Sequence, residues 1–347
     1  MSVQPIPLRQ LGKDGPSVPA LGYGLMGLAG LYGKPPSDEE RLKILDRAFE
    51  LGARFWDTAD IYLDNLELIA KWFKRTGKRS EVFLASKFGI VMDMEKFQFK
   101  GINSSAEYCK QKCEESLQRL GIDYIDLYYA HRANPATPIE ETMRAMAELQ
   151  AEGKIKHIGL CEVNSNTLRR ACKVAHVAAV QVEYSPFLLD VETEASGNLL
   201  QTCRELGVAI VCSSPLGRGM LTGAFMTKES LSGEGDMRVQ MFPRFQEENF
   251  DTNTKLVAQF KTFADKKGCT PSQLALAWLL KQGDNVIPIP GTKKIKYLEQ
   301  NWDALKVQLS DGEEAEIRRF LESADVKGYK SPEEAKQIDR LDTKEDV

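Results

Sequence analysis

The chain has 347 residues, with 46 Lys and Arg against 50 Asp and Glu, a formal net charge of -4. With a pI near 5.7 it has no basic excess to neutralise phosphates and release counterions, which excludes a general nucleic-acid binder. Mean hydropathy is -0.34, and no apolar run is long enough to cross a bilayer. The N-terminal MSVQPIPLRQLGKDG has no charged stretch leading into an apolar one, so no signal peptide is expected. Seven cysteines lie scattered without a CxxC pair, and there are only three histidines. Disulfides, structural zinc and a histidine-rich metal site are therefore not expected. The expectation is a reduced, cytoplasmic enzyme with no bound metal.

The chain opens with residues 8–20, LRQLGKDGPSVPA, which read as a β-hairpin turning on Lys13, Asp14 and Gly15. After it, short apolar runs alternate with amphipathic segments. Strands are predicted over 21–26, 53–58, 82–87, 125–131, 155–161, 179–183, 209–213 and 286–290. Helices are predicted over 38–51, 106–120, 139–152, 165–176 and 194–206, several ending in glycine: Gly52, Gly121, Gly153 and Gly207. The strands are continuous apolar runs, as in a parallel sheet covered on both faces. Eight of them separated by helices, in a chain somewhat longer than the usual roughly 250 residues, predict a (β/α)8 barrel with the hairpin capping its floor. A doubly wound open sheet is the rival, but its glycine-rich turn and immediate helix are missing after the first strand. Residues 223–252, with Phe225, Phe242, Phe245 and Phe250, read as a long loop after strand seven, of the kind used as a lid. An extra helix is predicted over 310–324. One domain is expected, its core about 8–324, with a loosely ordered charged tail over 325–347.

In such a barrel, chemistry collects where strands end. Strand two ends in Asp57-Thr58-Ala59-Asp60-Ile61-Tyr62, strand three in Ala85-Ser86-Lys87 and strand four in Tyr129-Ala130-His131. An acid, a phenol, an amine and an imidazole thus fall on three adjacent strand ends. A phenol titrating near ~10 is shifted down by a neighbouring ammonium, a carboxylate holds that ammonium, and an imidazole can orient an oxygen or pass a proton. Taken singly, each has a plainer reading. Asp57 and Lys87 would make a buried ion pair, His131 a satisfied core histidine, and Tyr62 packing. Joint placement points to proton transfer.

At this point the sequence resembles the aldo-keto reductase family, over 8–324 and with motifs in the family's order. The motifs are LGYGLMG at 21–27, Asp57-Thr58-Ala59 with Tyr62, ASKFG at 85–89, the His131 strand end and KIKHIGL at 154–160. They continue with QVEYSP at 181–186, PLGRG at 215–219 with Leu221-Thr222-Gly223, and Ile289-Pro290-Gly291-Thr292. His131-Arg132 and the TPIEET segment at 137–142 are similar to a fungal and bacterial NADP-dependent branch.

The resemblance implies reduction of an aldehyde or ketone by NADPH, with Tyr62 as proton donor, Lys87 held by Asp57 tuning it, and His131 orienting the carbonyl. It implies cofactor contacts from Gly24, Leu25, Met26 and Asp57, and from Cys161, Glu162 and Gln181 at the nicotinamide amide. The pyrophosphate would run along Ser213, Ser214, Pro215, Leu216, Gly217, Arg218, Gly219, Leu221 and Thr222. The adenosine 2′-phosphate would lie near Gly291, Thr292, Lys293, Lys294, Gln300 and Asn301. Leu63 stands where the family commonly has glycine, Cys161 where it has serine, and Ser213 where an aromatic would stack on the nicotinamide, a place Phe245 could fill. Two other functions fit the same barrel: a cofactor-binding regulatory module with little turnover, and an isomerase without net redox. The substrate pocket is expected from loops 28–36, 92–104 and 223–252. The partners expected are a small carbonyl substrate, with neither nucleic acid nor membrane.

Overall fold

The computed structural model describes residues 6–30, 32–93, 98–231, 233–332, 336 and 339–346. The opening hairpin pairs β1 (Leu8–Gln10) antiparallel with β2 (Ser17–Pro19). There follow β3 (Tyr23–Gly24), α1 (Asp38–Leu51), β4 (Phe55–Asp57), α2 (Asn65–Thr76) and β5 (Phe83–Phe88). A side hairpin, β6 (Ile90–Asp93) with β7 (Gln98–Ile102), interrupts the alternation within the 92–104 stretch. The repeat resumes with α3 (Ala106–Leu120), β8 (Ile125–Ala130), α4 (Ile139–Ala151), β9 (Ile155–Cys161), α5 (Ser165–Val174), β10 (Val177–Glu183), α6 (Leu199–Leu206) and β11 (Ala209–Ser213). It ends with a short α7 (Arg238–Met241), α8 (Glu247–Lys267), α9 (Pro271–Lys281), β12 (Val286–Pro288), α10 (Ile295–Trp302) and α11 (Asp311–Ser323).

Eight strands form one parallel sheet in the order β12-β11-β10-β9-β8-β5-β4-β3. Its two ends meet: Gly24 bridges Gly291, and the Gly22 and Gly24 amides donate to the Pro288 and Pro290 carbonyls at 2.9 and 3.3 Å. The sheet is thereby a closed (β/α)8 barrel. The seam explains two glycines directly. A Cβ on Gly24 would stand 2.8 Å from the Ile289 carbonyl oxygen, and one on Gly291 only 2.7 Å from that of Gly24. Whatever else they touch, these residues are small because two backbones close on each other there.

The barrel interior is a packed cluster that includes Phe55, Ala85, Leu127, Ala179, Val211 and Ile287, with Leu11 and Val18 of the hairpin in it from below. The floor cap is therefore as expected. Because side chains alternate along a strand, the residues two places on form the next layer up. Those residues are Asp57, Lys87, Tyr129, Gln181, Ser213 and Ile289, and Cys161 of β9 stands in register with Gln181. The polar layer of the site is set by this period of two.

Two expectations are corrected. Residues 247–252 are the first turns of α8, and Phe242, Phe245 and Phe250 are buried in the core, because their rings cover apolar surface that a mobile lid would leave wet. The tail is not a loose end. Asn253 binds the Lys327 carbonyl and amide, both at 2.9 Å. Asn164 donates to the Arg340 carbonyl at 3.0 Å, Asp342 accepts from Asn166 and Thr167, each at 3.0 Å, and the Ile139 amide donates to Thr343 at 3.2 Å. Among the described residues, no helix is long and apolar enough to cross a membrane.

Candidate active site

β4, β5 and β8 are neighbours, with Asp57 opposite Ala85 and Lys87 opposite Tyr129. Lys87 is wholly buried, its Nζ 2.5 Å from Asp57 Oδ1 and 2.8 Å from the Thr58 carbonyl it donates to. The second oxygen of Asp57 accepts from Gln181 Nε2 at 2.7 Å. Lys87 Nζ lies 5.2 Å from the centre of the Tyr62 ring. The Tyr62 ring meets that of His131 edge-on, with centroids 6.1 Å apart. The four expected groups do converge.

Tyr62 sits in a tight turn after β4, its amide donating to the Ala59 carbonyl at 3.2 Å and its carbonyl accepting from Asn65 at 2.9 Å. Asn65 in turn reaches the Leu25 carbonyl at 2.7 Å. Arg119, near the end of α3, holds both flanks of the turn: it donates to the Asp60 carbonyl at 2.8 Å and to that of Leu63 at 2.6 Å, and pairs with Glu67. No motif pointed to Arg119, because its role arises from α3 lying against this loop. Leu63 adopts φ 45°, the left-handed conformation that glycine takes without strain. The turn is thus held by a residue in a strained backbone conformation that is 38% exposed. Replacing Leu63 with glycine should relieve that strain while adding chain entropy to the unfolded state, a net gain of roughly 0.5–1 kcal/mol. The urea midpoint would report it; an unchanged or lower midpoint would show that Leu63 side-chain packing outweighs the strain.

Burial dominates the titrations. It raises the Tyr62 phenol above its ordinary value, and the Lys87 ammonium only partly opposes this. The expected net lowering is therefore corrected: in the dry barrel mouth, withdrawing the phenolate from water outweighs the attraction of Lys87, which is shared with Asp57. Burial also raises Asp57, against the pull of Lys87. For Lys87 burial works downward, but Asp57 and Tyr62 outweigh it and the ammonium is retained. His131 is held well below its ordinary value by burial, then by Lys87 and Arg132. Its Nδ1 is buried without a hydrogen-bond partner. The site therefore offers a protonated phenol, an ammonium and a neutral imidazole.

Several of the expected cofactor residues fall at or just beyond the C-terminal ends of strands: Gly24 of β3, Asp57 of β4, Cys161 of β9 and Ser213 of β11. Ser214, Gly217, Arg218 and Gly219 all have positive φ, 47°, 55°, 55° and 96°. Such a run turns the backbone tightly beyond β11, and a Cβ on Gly219 would meet Phe225 at 2.8 Å. Arg218 pairs with Glu183 at 2.8 Å and with the Tyr32 hydroxyl at 2.9 Å. The two lysines after β12 part company. Lys293 donates to the Tyr32 and Lys34 carbonyls, at 2.8 and 3.1 Å, whereas Lys294 is exposed at the N-terminus of α10, which has no side-chain cap. Asn301 is buried on that helix and Gln300 half-buried. Phe245 is buried with the core side chains around it, and Ser213 is half-buried at the end of its strand.

Glu162, at φ 46°, turns back into the protein. Its Oε1 accepts from the Glu183 amide at 2.6 Å, and its Oε2 lies 3.1 Å from both Lys330 Nζ and Arg340 Nε. Burial alone would raise this carboxyl, but Lys330, Arg340 and Arg132 together hold it far below its usual range. Cys161 is buried inside the barrel, with its thiol pushed up by burial. Lys330 and Arg340 were missed from sequence, since nothing local marks a tail residue as a partner of Glu162.

The Aldo/keto reductase family profile matches residues 20–322. The chain is similar to aldo-keto reductase yakc of Schizosaccharomyces pombe, which is named for NADP(+), with 48% identity over 94% of this chain and 95% of that one. Aldo-keto reductase str7 of Strobilurus tenacellus is 47% identical over 93% and 94% of the two chains. Among solved structures, aldo-keto reductase AKR11C1 of Bacillus halodurans in its holo form superposes with a TM-score of 0.75 at 27% identity, covering 94% of this chain and 98% of that one. The fold is also that of glycerol dehydrogenase AKR11B4 of Gluconobacter oxydans, with a TM-score of 0.79, 24% identity and coverage of 94% and 98%. With its barrel, its strand-end tetrad and these relatives, the chain belongs to the aldo/keto reductase family.

Proposed function

We propose that the protein reduces an aldehyde or ketone with NADPH, Tyr62 giving its phenolic proton to the carbonyl oxygen. One observation carries this reading: Lys87, paired with Asp57 at 2.5 Å, stands 5.2 Å from the ring centre of a buried, protonated Tyr62 that faces His131. A phenol kept protonated is a donor in waiting, and the retained ammonium stabilises the phenolate left after transfer. Neutral His131 donates from a ring nitrogen to the same carbonyl oxygen and fixes its approach.

The residues present fit a dinucleotide. Gln181 stands beside the tetrad for the carboxamide, while Glu162 is turned away to Lys330 and Arg340 and is not free for it. The 214–219 turn offers close backbone approach, and the uncapped start of α10 suits a phosphate. When bound, the nicotinamide supplies the hydride. The NADP(+) in the name of the yakc relative supports this choice of cofactor. Free cysteines throughout, most of them buried, support a cytoplasmic location.

Screening aldehydes, ketones and quinones for carbonyl-dependent loss of NADPH absorbance tests the reading. Turnover of a substrate without NADPH consumption would favour an isomerase, and cofactor binding without any turnover a regulatory module. Lys294, rather than Lys293, is free to meet the 2′-phosphate. Lys294→Glu should weaken NADPH by roughly tenfold, about 1.4 kcal/mol, and leave NADH nearly unchanged, since only NADPH carries the phosphate the new charge repels. Equal weakening of both in fluorescence titrations would place Lys294 away from that phosphate.

A further inference from the structure

The C-terminal segment brings two cations to the catalytic face. Lys330 is almost fully buried between two carboxylates, Glu162 at 3.1 Å and Asp339 at 2.9 Å. Arg340 shares Glu162 through its Nε, at 3.1 Å, and its side chain is only 9% exposed. Arg132 follows His131 directly, and among the described residues its hydrogen bond goes to the His131 carbonyl at 2.8 Å. Among the described residues, no carboxylate lies within ion-pairing distance of Arg132. Its charge nonetheless acts on both His131 and Glu162, so all three cations share one neighbourhood.

That neighbourhood holds three cations, Arg132, Lys330 and Arg340, and three carboxylates, Glu162, Asp339 and Asp190, the last acting on Arg340. Of the three cations, Arg132 is the one without an ion-pair partner among the described residues. Two buried nitrogens there have no partner: Arg340 Nη2 and His131 Nδ1. A buried guanidinium N–H left without an acceptor is destabilising, and folded proteins rarely keep one without a use. A guanidinium presents its donors as a planar fork that matches a carboxylate.

From these observations we infer that the natural substrate is a carbonyl compound that also bears a carboxylate, received by Arg340 from the C-terminal segment and by Arg132. This rests on the reductase reading and adds the substrate class. Glu162 and Lys330 hold Arg340 in place, and the tail thereby becomes part of the substrate pocket. Clamping of the tail through Asn164, Asn166 and Thr167 gives that contact the rigidity that recognition needs.

The experiment compares matched pairs, 2-carboxybenzaldehyde with benzaldehyde and succinic semialdehyde with butanal, using the full chain and NADPH. In at least one pair the wild type should favour the carboxylated member at least tenfold in kcat/KM, mainly through KM, and added salt should shrink the preference. Arg340→Met should reduce that ratio at least tenfold, with Arg340→Lys in between. Circular dichroism checks folding, and Arg132→Met serves as the second variant if Arg340→Met does not fold. Equal or poorer use of the carboxylated member in both pairs overturns the inference, as does a preference that survives both methionine variants. Failure to reduce any carbonyl, neutral ones included, instead overturns the reductase reading. The anion site is then decided by binding: phthalate should raise the melting temperature of the wild type and not that of Arg340→Met, and no rise in the wild type sinks it.

Discussion

Tyr62→Phe is expected to lower carbonyl-dependent NADPH oxidation by roughly 10²–10⁴-fold, the range for a lost general acid. The ring itself would stay, packed with Ala29, Ala59 and Met26, so folding and NADPH affinity should hardly move. The loss should appear in kcat, because the hydroxyl acts on the oxygen as charge develops there, not on the resting carbonyl. Stopped-flow measurement of a single turnover would keep slow product release from hiding the effect. Full single-turnover activity in the phenylalanine variant would remove Tyr62 from the donor role.

Lys87→Met should damage both stability and rate. It strands the Asp57 carboxylate inside the barrel with Gln181 Nε2, at 2.7 Å, as its remaining side-chain donor. Breaking a buried pair from one side costs roughly 3–5 kcal/mol, a large share of a domain's stability. Asp57 would then bind a proton on folding. Its folded pKa would stand above the unfolded one, so the variant should lose further stability as pH rises from about 4. Adding Asp57→Asn removes the lone charge, and the double variant should recover much of the lost stability. It should recover none of the rate, which falls for want of an ammonium beside the phenol. Denaturant melts and single-turnover rates of the wild type, the two single variants and the double variant separate the two roles. A Lys87→Met protein with wild-type rate would reduce Lys87 to a structural ion pair, and one with wild-type stability would contradict the burial argument.

Much of the architecture was legible because it is local. Apolar runs of strand length, helices begun by Ser37 and Ser105 and closed by left-handed Gly52, Gly121 and Gly207 are decided within a few residues of themselves. The 155–161 and 209–213 strands and the 38–51 and 106–120 helices fall where the pattern put them. The tetrad was legible for a related reason: in a parallel barrel all strand ends share one face, so residues at successive ends must meet there. Tertiary structure decided what depends on distant partners and on water. The seam confines Gly24 and Gly291, Arg119 holds the Tyr62 turn from another helix, and Lys293 spends its donors on the 32–34 backbone while Lys294 stays free. Burial reversed the expected shift of the Tyr62 phenol, since the energy of removing a charge from water depends on how dry the folded site is. Glu162 found its cations 168 and 178 residues away, in a tail that composition alone marks as solvent-loving. Charge is written in the sequence, but its partner is chosen by the fold, because attraction strengthens where packing excludes water.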